Sequence, residues 1–126
     1  MFKNTKAFSS FSVKDISEAK AFYHNVLGLE ITDIPDMKGL VYLNIGDAGR
    51  ILVYEKPDHT PASFTVLNFP VMDIEKAVDD LVSRGVHFEQ YEGELKTDEK
   101  GISRKGPLVA WFKDPAGNIL SIIETE

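Results

Sequence analysis

The sequence predicts an α+β fold built from two copies of one strand-helix-three-strand module, and three observations predict it. The run Phe11 to Glu30, FSVKDISEAKAFYHNVLGLE, alternates like a strand, breaks at Asp15-Ile16, and continues with apolar residues at three-to-four spacing. The same plan returns 58 positions later, where Phe69, Val71, Asp73, Ile74 and Ala77 stand over Phe11, Val13, Asp15, Ile16 and Ala19. Both helical runs then end on a glycine, Gly28 and Gly85, with a one-residue slip between the copies. Agreement of pattern, residue type and spacing points to a duplication.

Within the first module, Phe8 to Lys14 alternates as a strand with Phe11 and Val13 on one face and Phe8, Ser10 and Ser12 on the other. Asp15 or Ser17 caps a helix running to about Leu27, whose stripe of Ile16, Ala19, Ala21, Phe22, Tyr23, Val26 and Leu27 faces the sheet. Three short strands follow, Leu29 to Thr32, Leu40 to Ile45 and Arg50 to Glu55, separated by Pro35-Asp36 and by the Gly46 to Gly49 turn. Lys56 to Ser63 holds two prolines and no apolar period, so it connects the modules.

The second module opens with a strand from Phe64 to Val71 and a helix from about Ile74 to Arg84, with Ile74, Ala77, Val78, Leu81 and Val82 inward. A strand is expected over Val86 to Tyr91. The polar run Glu92 to Gly106 is expected to be a mobile loop, which would act as a lid if it folds over the binding site. Leu108 to Lys113 and Ile119 to Glu124 close the module as a hairpin around Asp114-Pro115-Ala116-Gly117-Asn118. The modules thus span about 7–55 and 64–124 of a single domain covering 1–126, and a curved mixed sheet around a cleft is the expected result.

Bulk properties bound the function. At 126 residues the chain suits one core, and 43% hydrophobic with 27% charged residues is ordinary globular composition. A net charge of −6 and a pI near 5.0 argue against nucleic acid as a partner, because phosphates require a clustered basic face. The absence of cysteine excludes disulfides, thiolate metal sites and a cysteine nucleophile, and fits a cytoplasmic location. No apolar run reaches membrane-span length and none resembles a secretion signal.

Three segments carry a family resemblance: FSVKDISEAKAFYHNVLGL at Phe11 to Leu29, FPVMDIEKAVDDLVSRGV at Phe69 to Val86, and FKDPAGNILSI at Phe112 to Ile122. Over nearly its whole length the chain resembles the glyoxalase, bleomycin-resistance and extradiol-dioxygenase superfamily, the vicinal oxygen chelate proteins. The resemblance implies one metal at the cleft centre, held by side chains from the first and fourth strands of each module. Carried onto this sequence, those positions are Phe8, Val66 and Ser121, with Val53 as the symmetry mate of Ser121. A divalent cation prefers imidazole, carboxylate or thiolate donors, so no metal and no other cofactor is expected here.

The remaining candidates divide by chemistry. His24, His59 and His87 fall on a helix surface, in the proline-rich connection and at the start of a non-ligand strand, so none is assigned to a metal. Glu55 follows Val53 by two residues and is expected to share its face, as a displaced ligand or a base. Ser10, Ser12, Asn68 and Ser121 are expected to orient a small molecule in the cleft, with Phe8, Val53, Val66, Ile119 and Ile123 as its apolar lining. Trp111 and Tyr42 are candidates for stacking a planar ligand, although alternation alone leaves open whether Trp111 or Phe112 faces the cleft.

The reading is therefore a metal-free binder of an apolar or aromatic small molecule, with antibiotic sequestration as one form of it. Its rival is a metal-dependent lyase or dioxygenase that uses unrecognised ligands such as Glu55. The resemblance also implies a homodimer; charge and hydropathy leave neither nucleic acid nor membrane as an expected partner.

Overall fold

The computed structural model describes residues 1–125; Glu126, the last residue of the expected domain, lies outside the described residues, and Ala48 is described by its backbone alone. The chain divides into two compact units, Met1–His59 and Thr60–Glu126. Each holds one four-stranded mixed sheet and one helix, so the α+β class and the duplication are observed, as two sheets of equivalent topology.

In the first unit β1 (Ser10–Val13) lies parallel to β4 (Arg50–Glu55), which pairs antiparallel with β3 (Leu40–Asn44), which in turn pairs with the edge strand β2 (Glu30–Asp33). Asp15 caps α1 (Ile16–Lys20) by accepting the backbone N–H groups of Ser17 and Glu18. Val13, Val41, Leu43 and Val53 are buried with Ala19 and Tyr23 of the helix, and the rings of Tyr23 and Phe11 lie 6.0 Å apart. These contacts define a helix-covered face and, by alternation, an opposite open face.

The helix departs from the expected continuous α-helix. Residues Ala21–Val26 form a π-helical turn, and Leu27 donates its N–H to Phe22 five residues back. A π turn accommodates one residue more than an α turn. This accounts for the one-residue slip between the copies, since α2 (Ile74–Ser83) keeps α geometry and the first helix carries the extra residue before its glycine. Leu29 N–H closes the helix end on the Tyr23 carbonyl, and the ring of His24 donates from Nδ1 to the Leu29 carbonyl at 2.9 Å.

In the second unit β5 (Thr65–Val71) runs parallel to β8 (Ile119–Glu124), β8 pairs with β7 (Val109–Lys113), and the edge is β6 (Ile102–Ser103). Two expectations are corrected here. Val86 to Tyr91 is no regular strand and makes a single bridge, Phe88 with Phe112, while the edge falls inside the run expected to be a loop. Ile102 is 0% exposed and Ser103 and Thr97 are buried beside it, so the middle of that run is sheet edge. Asp98 makes this possible: its carboxylate accepts the N–H groups of Lys100 and Ile102 and the Arg104 side chain, folding the polar residues into a tight turn.

The Asp114 to Asn118 hairpin is organised as the sequence predicts. Asp114 Oδ1 accepts the N–H groups of Ala116 and Asn118, and Asn118 Nδ2 donates to Asp114 Oδ2, each at 2.9 Å. With both side chains buried and their polar atoms paired, the turn is structural in character.

Candidate functional site: the open faces of the two sheets

Register decides which side chains share a face. On the first sheet Ser10 stands beside Leu52, Leu52 beside Tyr42, and Ser12 beside Tyr54, so all five lie on the open face. Phe8, 52% exposed, sets its ring edge-on to Tyr42 with centroids 6.0 Å apart. Of the residues expected here, Phe8, Ser10, Ser12 and Tyr42 are thus grouped.

Val53 and Glu55 are not, and both expectations are corrected. Val53 is 0% exposed and stands beside Phe11 and Val41 in the helix-covered core. Glu55 shares that face, and its Oε1 accepts the Ile16 N–H at 3.0 Å, at the start of α1. Its carboxylate serves the helix N-terminus, where four N–H groups lack intrahelical partners.

The second unit repeats this device with Glu124, whose Oε1 accepts the Ile74 N–H at 3.1 Å. Matching the two capping glutamates aligns β4 with β8 and makes Leu52 the mate of Ser121. The neighbours agree: Ser10 stands beside Leu52 as Asn68 stands beside Ser121. Aligning instead on the turn glycines, Gly49 with Gly117, shifts the match by one residue and points to Val53. One residue is enough to move a side chain to the opposite face.

On the second sheet Asn68, Ser121 and Trp111 stand in a row across β5, β8 and β7. Ser121, 0% exposed, donates its hydroxyl proton to Asn68 Oδ1 at 2.5 Å. Trp111 therefore occupies the open face, while Phe112 is buried on the helix side against Phe88. The Tyr91 ring meets Trp111 edge-on at 5.4 Å, and burial, with a smaller push from Glu89 and against Lys113, holds its phenol above the usual tyrosine range. Ile123 and Ile119 share the open face by alternation with Ser121, and the register of β5 shifts between Thr65, which pairs with Ile119, and Leu67, which pairs with Leu120.

Of the histidines, His59 Nδ1 lies 2.6 Å from Ser12 Oγ, which ties the end of the first unit to β1. Sequence reasoning missed Leu52, Tyr54, Arg50 and Tyr91. The first three follow from the β4 correction, and a signal existed: RILVYE and ILSIIE are six-residue strands that both end on glutamate.

At the positions that the resemblance implies for a metal, the side chains present do not fit a cation. Phe8, Val66 and either Val53 or Leu52 carry no donor atom, and the Ser121 hydroxyl is directed at Asn68. Among the described residues no three His, Asp or Glu side chains gather as a ligand set. No helix among them is long and apolar enough to cross a membrane.

Two strand-helix-three-strand units, matched residue for residue at their caps, define a duplicated scaffold with open sheet faces. Residues 8–122 match the model of the Glyoxalase/Bleomycin resistance protein/Dioxygenase superfamily, and the chain belongs to that superfamily. Among solved structures it is similar to TnmS3, an antibiotic binding protein from Streptomyces sp. CB03234, at 19% identity and a TM-score of 0.69, covering 98% of each chain. It is also similar to a superfamily member from Sphaerobacter thermophilus, at 23% identity and a TM-score of 0.67, covering 96% of this chain and 98% of that one. The fosfomycin resistance protein FosX from Listeria monocytogenes matches at 12% identity and a TM-score of 0.68, covering 98% and 92%. At these identities the likeness is one of fold. No curated protein matches the chain.

Proposed function

We propose that this protein binds an apolar or aromatic small molecule without a metal ion, holding it on an open sheet face by ring contacts and a few hydrogen bonds. The carrying observation is the replacement of a donor set by a lining. On the first sheet Phe8, Tyr42 and Leu52 present rings and aliphatic carbon, and on the second Trp111 stands beside the Ser121-Asn68 pair, which adds one directed polar group. Sequestration of an antibiotic is the form of this activity supported by the antibiotic-binding neighbour. The reading includes a cytoplasmic homodimer organised as one domain, its mass to be checked by light scattering.

Isothermal titration against a panel of aromatic antibiotics and metabolites tests the proposal. Saturable heats with at least one ligand are expected for protein stripped with chelator, and flat traces across the panel would sink it. Elemental analysis of protein purified without chelator separates it from a metal-dependent lyase or dioxygenase, which requires a stoichiometric metal.

A further inference from the structure

We propose that the pocket at the β3–β4 end of the first unit is an anion site, and that the ligand is a planar aromatic acid whose carboxylate is taken by Arg50. The inference rests on the small-molecule reading above and names the ligand class. The pocket, of about 810 Å³, is lined by Lys6, Phe8, Asn44, Asp47 and Arg50 together with the glycines of the turn. It joins two cations to the Phe8-Tyr42 aromatic corner in a chain whose net charge is −6.

Arg50 differs from the other two arginines. Arg84 pairs with Asp80, and Arg104 with Asp98 and Glu75, whereas Arg50 has no carboxylate within 4.0 Å among the described residues. Its guanidinium carbon sits 3.9 Å from the centroid of the Tyr42 ring. Contact with an aromatic face restrains the cation through the ring quadrupole while leaving N–H donors available for a planar anion. A carboxylate matches that fork in a bidentate, charge-assisted geometry. Lys6 adds a second positive charge and Asp47 opposes it, so the lining keeps a surplus of one cation. An aromatic ring attached to the acid can rest on Phe8, Tyr42 and Leu52, which border Arg50 on the same face.

The test titrates the full chain with 1-naphthoate and with its neutral isostere 1-naphthamide, by calorimetry and amide chemical shifts. Naphthoate is expected to bind about tenfold tighter at low salt, with shifts centred on Phe8, Tyr42 and Arg50. Arg50→Gln, an exposed change checked by circular dichroism, is expected to remove most of that preference, naphthoate losing more affinity than naphthamide. Arg50→Lys should restore only part of it, because charge is kept and the fork is lost. Equal affinities for acid and amide, an unchanged preference in Arg50→Gln, or shifts centred on Trp111 and Ser121 would each overturn the anion site and leave the binding reading intact. Silence toward both probes while another panel ligand binds also overturns it alone, and silence toward the whole panel overturns both.

Discussion

Glu55 Oε1 accepts the backbone N–H of Ile16 at 3.0 Å, so the last residue of β4 caps the first turn of the helix lying across the same sheet. Glu124 and Ile74 repeat the contact at 3.1 Å in the second unit. Removing the carboxylate takes away an acceptor and a favourable charge at the helix N-terminus. Glu124→Ala, at the part-buried site, is expected to destabilise by about 1–2 kcal/mol, and Glu55→Ala, where water can replace the oxygen, by about 0.5 kcal/mol. Urea unfolding measures both; equal and negligible losses would show that neither cap contributes.

The Ser121-Asn68 pair predicts an asymmetry between its two single mutants. Ser121 is fully buried and its hydroxyl donates, whereas Asn68 is exposed and can turn to water. Asn68→Ala strands the hydroxyl and is expected to cost about 1–3 kcal/mol. Ser121→Ala leaves only a solvated amide and should cost about 1 kcal/mol or less. Thermal unfolding of both mutants and the double mutant tests this, and a larger loss for Ser121→Ala contradicts it.

Gly101 has φ +86°, and a Cβ placed there would stand 2.8 Å from Phe88 Cβ and 3.3 Å from the Glu89 carbonyl oxygen. Both strain and collision oppose any other residue at this turn. Gly101→Ala is expected to cost about 2–3 kcal/mol and to raise amide exchange first in Thr97 to Ser103. A mutant as stable as the parent would mean that the turn relaxes without loosening β6.

Asp98 links that turn to pH. Burial alone would raise its carboxyl, but the N–H of Ile102, the Arg104 guanidinium and the N–H of Lys100 outweigh it and hold the group below the usual carboxylate range. A carboxyl depressed on folding contributes stability that is complete above the unfolded value near 4 and is lost as pH falls through the folded value. Stability should therefore fall on acidification below about pH 4, and Asp98→Asn should flatten that part of the curve. Denaturant midpoints measured between neutral and acid pH check it; the same slope in both proteins would place the acid sensitivity elsewhere.

Much of the fold was legible because duplication states each element twice. The offset of 58 aligned strand, cap and helix in both copies, and the bounds Arg50 to Glu55 and Ile119 to Glu124 were read without error. The second module's edge was not legible, because Ile102 is one apolar residue in a polar run and no periodicity can be read from one residue. The extended look of Val86 to Tyr91 misled for the opposite reason: Val86 to Phe88 alternates, but most of the run finds no partner strand.

Local chemistry alone determined the two-module α+β plan, the helix caps, the Asp114 to Asn118 turn and the chain's place in its superfamily, since each depends on residues near one another in sequence or on a repeated pattern. Only the tertiary structure decided which faces Val53, Glu55 and Trp111 occupy. A strand turns every side chain over at each single-residue step, so facing depends on register, and register is set by hydrogen bonds to strands far away along the chain.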